Sequence, residues 1–153
     1  MKLQKAKVND TCLLTSFAMA LDVDQSRLML TIGSDPHEKL WPDLLEPECF
    51  RGHHIQEMID AALDMDYAVT EIQVRPSFWQ LGLSQVIPLL DNDGTHRLLY
   101  HVENTQGVFR LATHAVAWDG KMVYDPQGTM YRIETILNQI QSYYIVGRIL
   151  DSI

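Results

Sequence analysis

Apolar and polar positions along the chain change period several times, and each change marks an element. From Asp10 the spacing is helical. Leu14, Phe17, Ala18 and Leu21 fall at i, i+3, i+4 and i+7, one apolar stripe. Asp10 is the expected N-cap, which makes Thr11 and Cys12 the first two helical residues. Asp22-Val-Asp-Gln25 reads as a capping box for a second helix that carries Leu28, Met29 and Ile32 and stops at Gly33. Residues 33–53 contain Pro36, Pro42 and Pro47 and read as a long irregular connection, pinned by Trp41, Leu44, Leu45 and Phe50. Such a loop fits a wall of a substrate cleft or a packed surface segment equally well. Ile55, Met58, Ile59, Ala62 and Leu63 then define a third amphipathic helix running to about Asp66.

Beyond that point the pattern turns to strands. Tyr67–Val74 is rich in β-branched residues and ends at Arg75-Pro76, and Gln85–Leu90 reads as a buried strand that Pro88 assigns to an edge or a bulge. Asp91–Gly94 is a turn. Leu98–Glu103 and Val108–Leu111 are expected strands joined around Asn104–Gly107. A late helix is expected from Ile133, Ile136, Leu137 and Ile140, and a closing strand over Tyr143–Ile149. Helices followed by mostly antiparallel strands make an α+β arrangement. At 153 residues the chain suits one domain, 1–153, with a single core.

One hairpin stands out within this series, Thr113–Gly128. Asp119-Gly120 between two β-prone runs is a strong turn signal, because a type I′ turn needs positive φ at both central residues. With those two residues as the whole loop, Trp118 faces Lys121 and the ladder runs back until His114 stands opposite Asp125. Partners across an antiparallel ladder share a face at about 4.5–5.5 Å. Backbone geometry thus gives a histidine a carboxylate neighbour, and Pro126 ends the ladder because it has no N–H. A carboxylate so placed fixes an imidazole tautomer and stabilises the imidazolium, as a general base in nucleophilic catalysis requires.

Composition narrows the partners. Apolar residues make up 46% and charged residues 21%, so a folded globular chain is expected. The net charge of −8 argues against a nucleic-acid-binding surface and favours a basic partner only weakly, through long-range steering. No apolar run of membrane-spanning length occurs, and the basic start Met1–Lys7 lacks the apolar core of a secretory signal. The expected location is the cytoplasm, or a host cell reached by a route the sequence does not display. Cys12 and Cys49 are then two free thiols rather than a disulfide.

Cys12 is the candidate nucleophile. Unpaired N–H groups and the dipole at a helix start stabilise a thiolate and make the cysteine reactive. Taken alone, a free cysteine is more often a small buried hydrophobe; the first-turn position together with the His114–Asp125 pair reverses that balance. Other groupings carry less. His101 and Glu103 share a face of their expected strand, an alternative base pair that no Asp-Pro hairpin positions. Cys49, His53 and His54 match no standard zinc spacing, so no metal is expected. Trp118, on the His114 face, either shields the site or packs; Tyr124 lies on the opposite face. No glycine-rich phosphate loop occurs.

Three segments resemble a known superfamily: Asn9–Leu21 around Cys12, Gly52–Leu63, and His114-Ala-Val-Ala-Trp-Asp-Gly with Val123-Tyr-Asp-Pro-Gln-Gly128. In this order they are similar to compact papain-like cysteine peptidases, above all the bacteriocin-processing, double-glycine peptidase domains. The resemblance implies a papain-like fold with N-terminal helices packed on a mostly antiparallel sheet. It also implies a Cys12–His114–Asp125 triad, a thioacyl intermediate, no cofactor, and a protein or peptide substrate. The chain departs from the pattern in places. Thr11 and Leu13 stand where the family has aspartate and glycine, and Ala6 stands where its oxyanion glutamine lies, six residues before the nucleophile. Gln4 and Asn9 are the side-chain alternatives for that donor, beside the backbone N–H of Cys12. The expected activity is thiol-dependent amide hydrolysis. Glutamine deamidation or transglutamination of a protein, and a catalytically silent binding module, are the alternatives.

Overall fold

The computed structural model describes residues 1–7, 11–33, 55–74, 85–86 and 98–149. Three α-helices come first: α1 (Cys12–Ala20), α2 (Gln25–Ile32) and α3 (Ile55–Asp64). The strands are β1 (Tyr67–Gln73), β2 (Gln85–Val86), β3 (Gly107–Arg110), β4 (Ala115–Trp118), β5 (Val123–Asp125), β6 (Thr129–Tyr131) and β7 (Ser142–Arg148). They form one sheet in the order β2-β1-β7-β3-β4-β5-β6. Among the described residues, only β2, at the edge, runs parallel to its neighbour, and every other pairing is antiparallel. The architecture is α+β.

Period-two alternation explains why the central strands are buried throughout, since both faces of the sheet are covered. Val108, Ala115, Tyr144 and Val146 turn to one face, against Leu14, Phe17 and Ala18 of α1, Leu28 of α2, and Met58 and Ala62 of α3. Their neighbours Phe109, Val116, Trp118 and Tyr143 turn to the other, against Leu98, Val102, Ile133, Ile136 and Ile140. Ala117 meets Met19 of α1, so small side chains on β4 let that helix lie close to the sheet. As a result α1 is buried all round from Leu14 to Ala20, beyond the single stripe its periodicity predicts.

α1 begins at Cys12, with Thr11 in the cap position and no side-chain cap; Asp10 lies outside the described residues. The second helix is capped by Asp24, whose carboxylate accepts from Ser26 N at 2.8 Å, while Asp22 takes a left-handed φ of 58° after α1. Gly33, at φ +73°, ends α2 as expected. Residues 98–102 are helical rather than extended. Leu98 and Val102, at i and i+4, are buried together, and the slot beside β3 is filled instead by β7. The late helix is two 3₁₀ turns, Ile133–Thr135 and Leu137–Gln139, broken at Ile136 by φ −120°. The connection at 33–53 lies outside the described residues after Gly33, as do the turn at Asp91–Gly94 and residues 87–90 of the expected strand.

Candidate active site

Two hairpins carry the histidine and its carboxylate. In the first, Leu111 N donates to His114 O at 2.8 Å across Ala112-Thr113, which puts His114 directly after the turn from β3 into β4. In the second, Ala117 pairs with Tyr124 and Trp118 with Val123, two residues out of the predicted register. Asp119 causes the shift. Its Oδ1 accepts from the N–H groups of Lys121 and Met122, each at 2.8 Å, and its Oδ2 from Tyr124 OH, closing a wider loop. A slip of two residues keeps every side chain on its face, whereas a slip of one would have reversed them all. Asp125 is therefore the diagonal neighbour of His114 rather than its direct partner. The contact survives: His114 Nε2 lies 2.8 Å from Asp125 Oδ1.

Asp125 is 5% exposed and held by three donors. Gln127 N–H reaches Oδ1 at 2.9 Å and Tyr131 OH reaches Oδ2 at 2.6 Å, beside the imidazole. Burial works against its charge, but the Tyr131 hydroxyl, the Gln127 N–H and His114 together hold its carboxyl below the usual range. Local sequence pattern does not mark Tyr131. The signal available was the Pro126-Gln-Gly128 turn, where Gly128 takes φ +100° and its N–H returns to Asp125 O at 2.8 Å. That turn starts β6 and brings Tyr131 onto the Asp125 face.

Cys12 meets this pair from the other side. Partial burial raises its thiol pKa, yet a hydrogen bond and the charge of His114, with the N–H groups of Ala115 and Leu13, bring the net value below that of an ordinary thiol. Conversely, the hydrogen bond to Cys12 leads in raising His114 to about 9, against burial and with help from Asp125. With Nε2 taken by Asp125, Nδ1 is the ring nitrogen left for the sulfur. Sulfur, imidazole and carboxylate thus act on one another in a row, with the thiol pKa lowered and the imidazole pKa raised.

Two recesses meet at Cys12, Thr113 and His114. One, of about 300 Å³, is walled by Leu13, Ile55, Leu111 and Tyr144, with Arg110 at its side. The other, of about 350 Å³, is lined by Lys5, Ala6, Pro126 and Gln127. Ala6 N donates to Pro126 O at 2.7 Å, so Lys5 and Ala6 form the far rim. Gln4 helps anchor that stretch away from the sulfur. Its Nε2 donates to Val23 O at 2.6 Å and its Oε1 accepts from Gln25 N at 2.9 Å. Both ends of the Gln4 carboxamide are engaged at the α1–α2 connection, and the oxyanion role suggested for it has no support in this geometry. Asn9, Cys49, His53 and His54 lie outside the described residues. His101 and Glu103 are exposed and line neither recess. Trp118 is packed in the core, its Nε1–H on Val102 O at 2.9 Å, so packing is its role. Among the described residues, no three metal-ligating side chains gather.

A solved double-glycine-motif protease from an AMS/PCAT transporter, crystallised in complex with the leader peptide, matches this chain with a TM-score of 0.59. The match covers 96% of this chain and 91% of the other at 13% identity. The fold is that of a papain-like peptidase domain. No protein-family model and no curated protein sequence matches the chain.

Proposed function

We propose that this protein is a thiol-dependent amide hydrolase acting on a peptide segment, with Cys12, His114 and Asp125 as its triad. The observation that carries the reading is His114 bridging Cys12 and Asp125, with the thiol pKa lowered and the imidazole pKa raised. The peptidase fold and the peptide bound to the solved neighbour support it. Cys12 Sγ attacks the carbonyl carbon and forms a C–S bond. The oxygen of the tetrahedral adduct is received at the start of α1, where the N–H of Cys12 has no intrahelical partner. His114 passes its proton to the leaving nitrogen, the C–N bond breaks, and a thioester remains. His114 then takes a proton from water, the resulting hydroxide attacks the thioester, and the thiolate returns. Asp125 stabilises the imidazolium and holds its ring, and Tyr131 and Gln127 hold Asp125. The whole of residues 1–153 serves as one such domain.

Ala6 in place of a side-chain oxyanion donor favours a second reading, a fold-preserving module with slow chemistry or none, or one turned to glutamine side chains. Iodoacetamide separates these. Hydrolase chemistry predicts rapid alkylation of Cys12 at neutral pH that slows at least about tenfold in His114→Ala. Slow alkylation unchanged in that variant would overturn it. Mass analysis of treated peptides then reports new termini for a peptidase, or a Gln→Glu mass change with ammonia for a deamidase.

A further inference from the structure

The chain carries a net charge of −8, yet the charged side chains described around the two recesses at Cys12 are of the opposite sign. Among the described residues, the charged side chains of the two recesses are Arg110 on one side and Lys5 on the other, with His114 between them. Arg110 is the better placed of the two cations. It ends β3, paired on one side with Ala115 and on the other with Ser142, so a rigid strand presents it. Its guanidinium hydrogen-bonds the buried Tyr144, which lines the same recess. Glu71, the carboxylate that acts on Tyr144 from β1, does not itself line that recess. Leu13, Ile55 and Leu111 supply apolar walls. Apolar walls leading to a cation suit a side chain with a short hydrocarbon stem and an anionic end.

The geometry points to a substrate that is acidic beside the reacting bond, with Arg110 selecting a glutamate or aspartate side chain and Lys5 reinforcing the preference across the cleft. This local reading reverses the weak preference for a basic partner that net charge alone suggests. Charge at contact distance in a partly enclosed recess outweighs a diffuse field that salt screens over about 8–10 Å. Lys5 holds its place because its stem packs near Gly128 and Gln25 Nε2 donates to Lys5 O at 2.7 Å.

The inference rests on Cys12 being the reactive group, and the test separates the two. Tripeptidyl acyloxymethyl ketones are used, with glutamate, glutamine or lysine at each position in turn. In each, the thiolate displaces the acyloxy group as a carboxylate and forms a thioether. At one position the glutamate probe is expected to label Cys12 about tenfold faster than the isosteric glutamine probe. Arg110→Gln should bring the two within about twofold, Arg110→Glu should invert the order, and Arg110→Lys should keep part of it. Iodoacetamide labelling serves as the control, and each probe rate is read as its ratio to the iodoacetamide rate of the same variant. Glutamate probes no faster than glutamine probes, or a preference indifferent to Arg110, would overturn the inference and leave the hydrolase reading intact. Failure of Cys12 to react with iodoacetamide would remove both.

Discussion

At the scale of single residues, the decisive feature is how His114 divides its ring between two partners. Asp125 holds Nε2, which leaves Nδ1 for Cys12, and the two together favour the imidazolium. The pH dependence follows from the signs. The thiol pKa is lowered, so the thiolate persists below the ordinary thiol range and is lost only as pH falls through that lowered value. The imidazole pKa is raised to about 9, so the proton needed by the leaving nitrogen is lost as pH rises through that value. The expected kcat/KM profile is a bell with its alkaline limb near 9. A stopped-assay series from acid to alkaline pH measures it, and a single rise at the ordinary thiol pKa would contradict the ion pair. Because thiolate and imidazolium titrate as a pair, the two limbs belong to the couple rather than to either residue. Asp125→Asn is expected to lower kcat by roughly 10–100-fold, since the amide keeps the shape and loses the charge. Tyr131→Phe should lower kcat several-fold, by roughly 1 kcal/mol, with KM little changed. A change confined to KM would mean that the hydroxyl does not act through Asp125.

At the scale of elements, the site depends on strand register and on a staple at the N-terminal segment. The β4–β5 pairing lies two residues from the simplest hairpin, and the His114–Asp125 contact tolerates this because strand faces repeat every second residue. β3 is placed by Gly107, where a Cβ would collide with the Tyr144 carbonyl oxygen and crowd the Tyr143 ring. Gly107→Ala is therefore expected to destabilise the protein by roughly 2–4 kcal/mol, read as a lower urea midpoint with an unchanged m-value. The staple is Gln25, 7% exposed, whose Nε2 donates to Lys5 O at 2.7 Å and whose Oε1 accepts from Thr15 Oγ1 at 3.2 Å. Gln25→Leu leaves those partners unpaired and should cost about 1–3 kcal/mol. It also frees the rim that carries Lys5 and Ala6, so KM should rise in the same variant. Unaltered KM would show that the rim holds without it.

At the scale of the whole molecule, Cys12 and His114 come from distant parts of the chain and meet only when α1 docks on β4. Rapid alkylation of Cys12 should therefore vanish in urea along the same curve as the fluorescence of a variant that keeps Trp118 as its single tryptophan. Reactivity that outlasts the fluorescence transition would show that the thiol is activated by its helix alone. The same distance explains what could be read in advance. α3, β1 and the central hairpin follow from local period and turn chemistry, and their positions came out within a few residues. Residues 98–102 did not, because Leu98 and Val102 suit a strand or a helix until the neighbouring slot is taken by β7. The segment 133–140 failed in a related way, since three buried isoleucines satisfy the core from two short turns as well as from one helix.

The amino-acid order by itself determined the α+β layout, the face shared by His114 and Asp125, and Cys12 at the start of a helix, because these depend on local period and turns. Tertiary structure decided what local rules do not reach. It moved the hairpin by two residues, committed Gln4 to the α1–α2 connection, and brought Tyr131 to Asp125. It also set Arg110 and Lys5 on either side of the sulfur in a chain of net charge −8. The physical reason is common to all of them: each contact joins side chains from separate elements, and its geometry exists only once both faces of the sheet are packed.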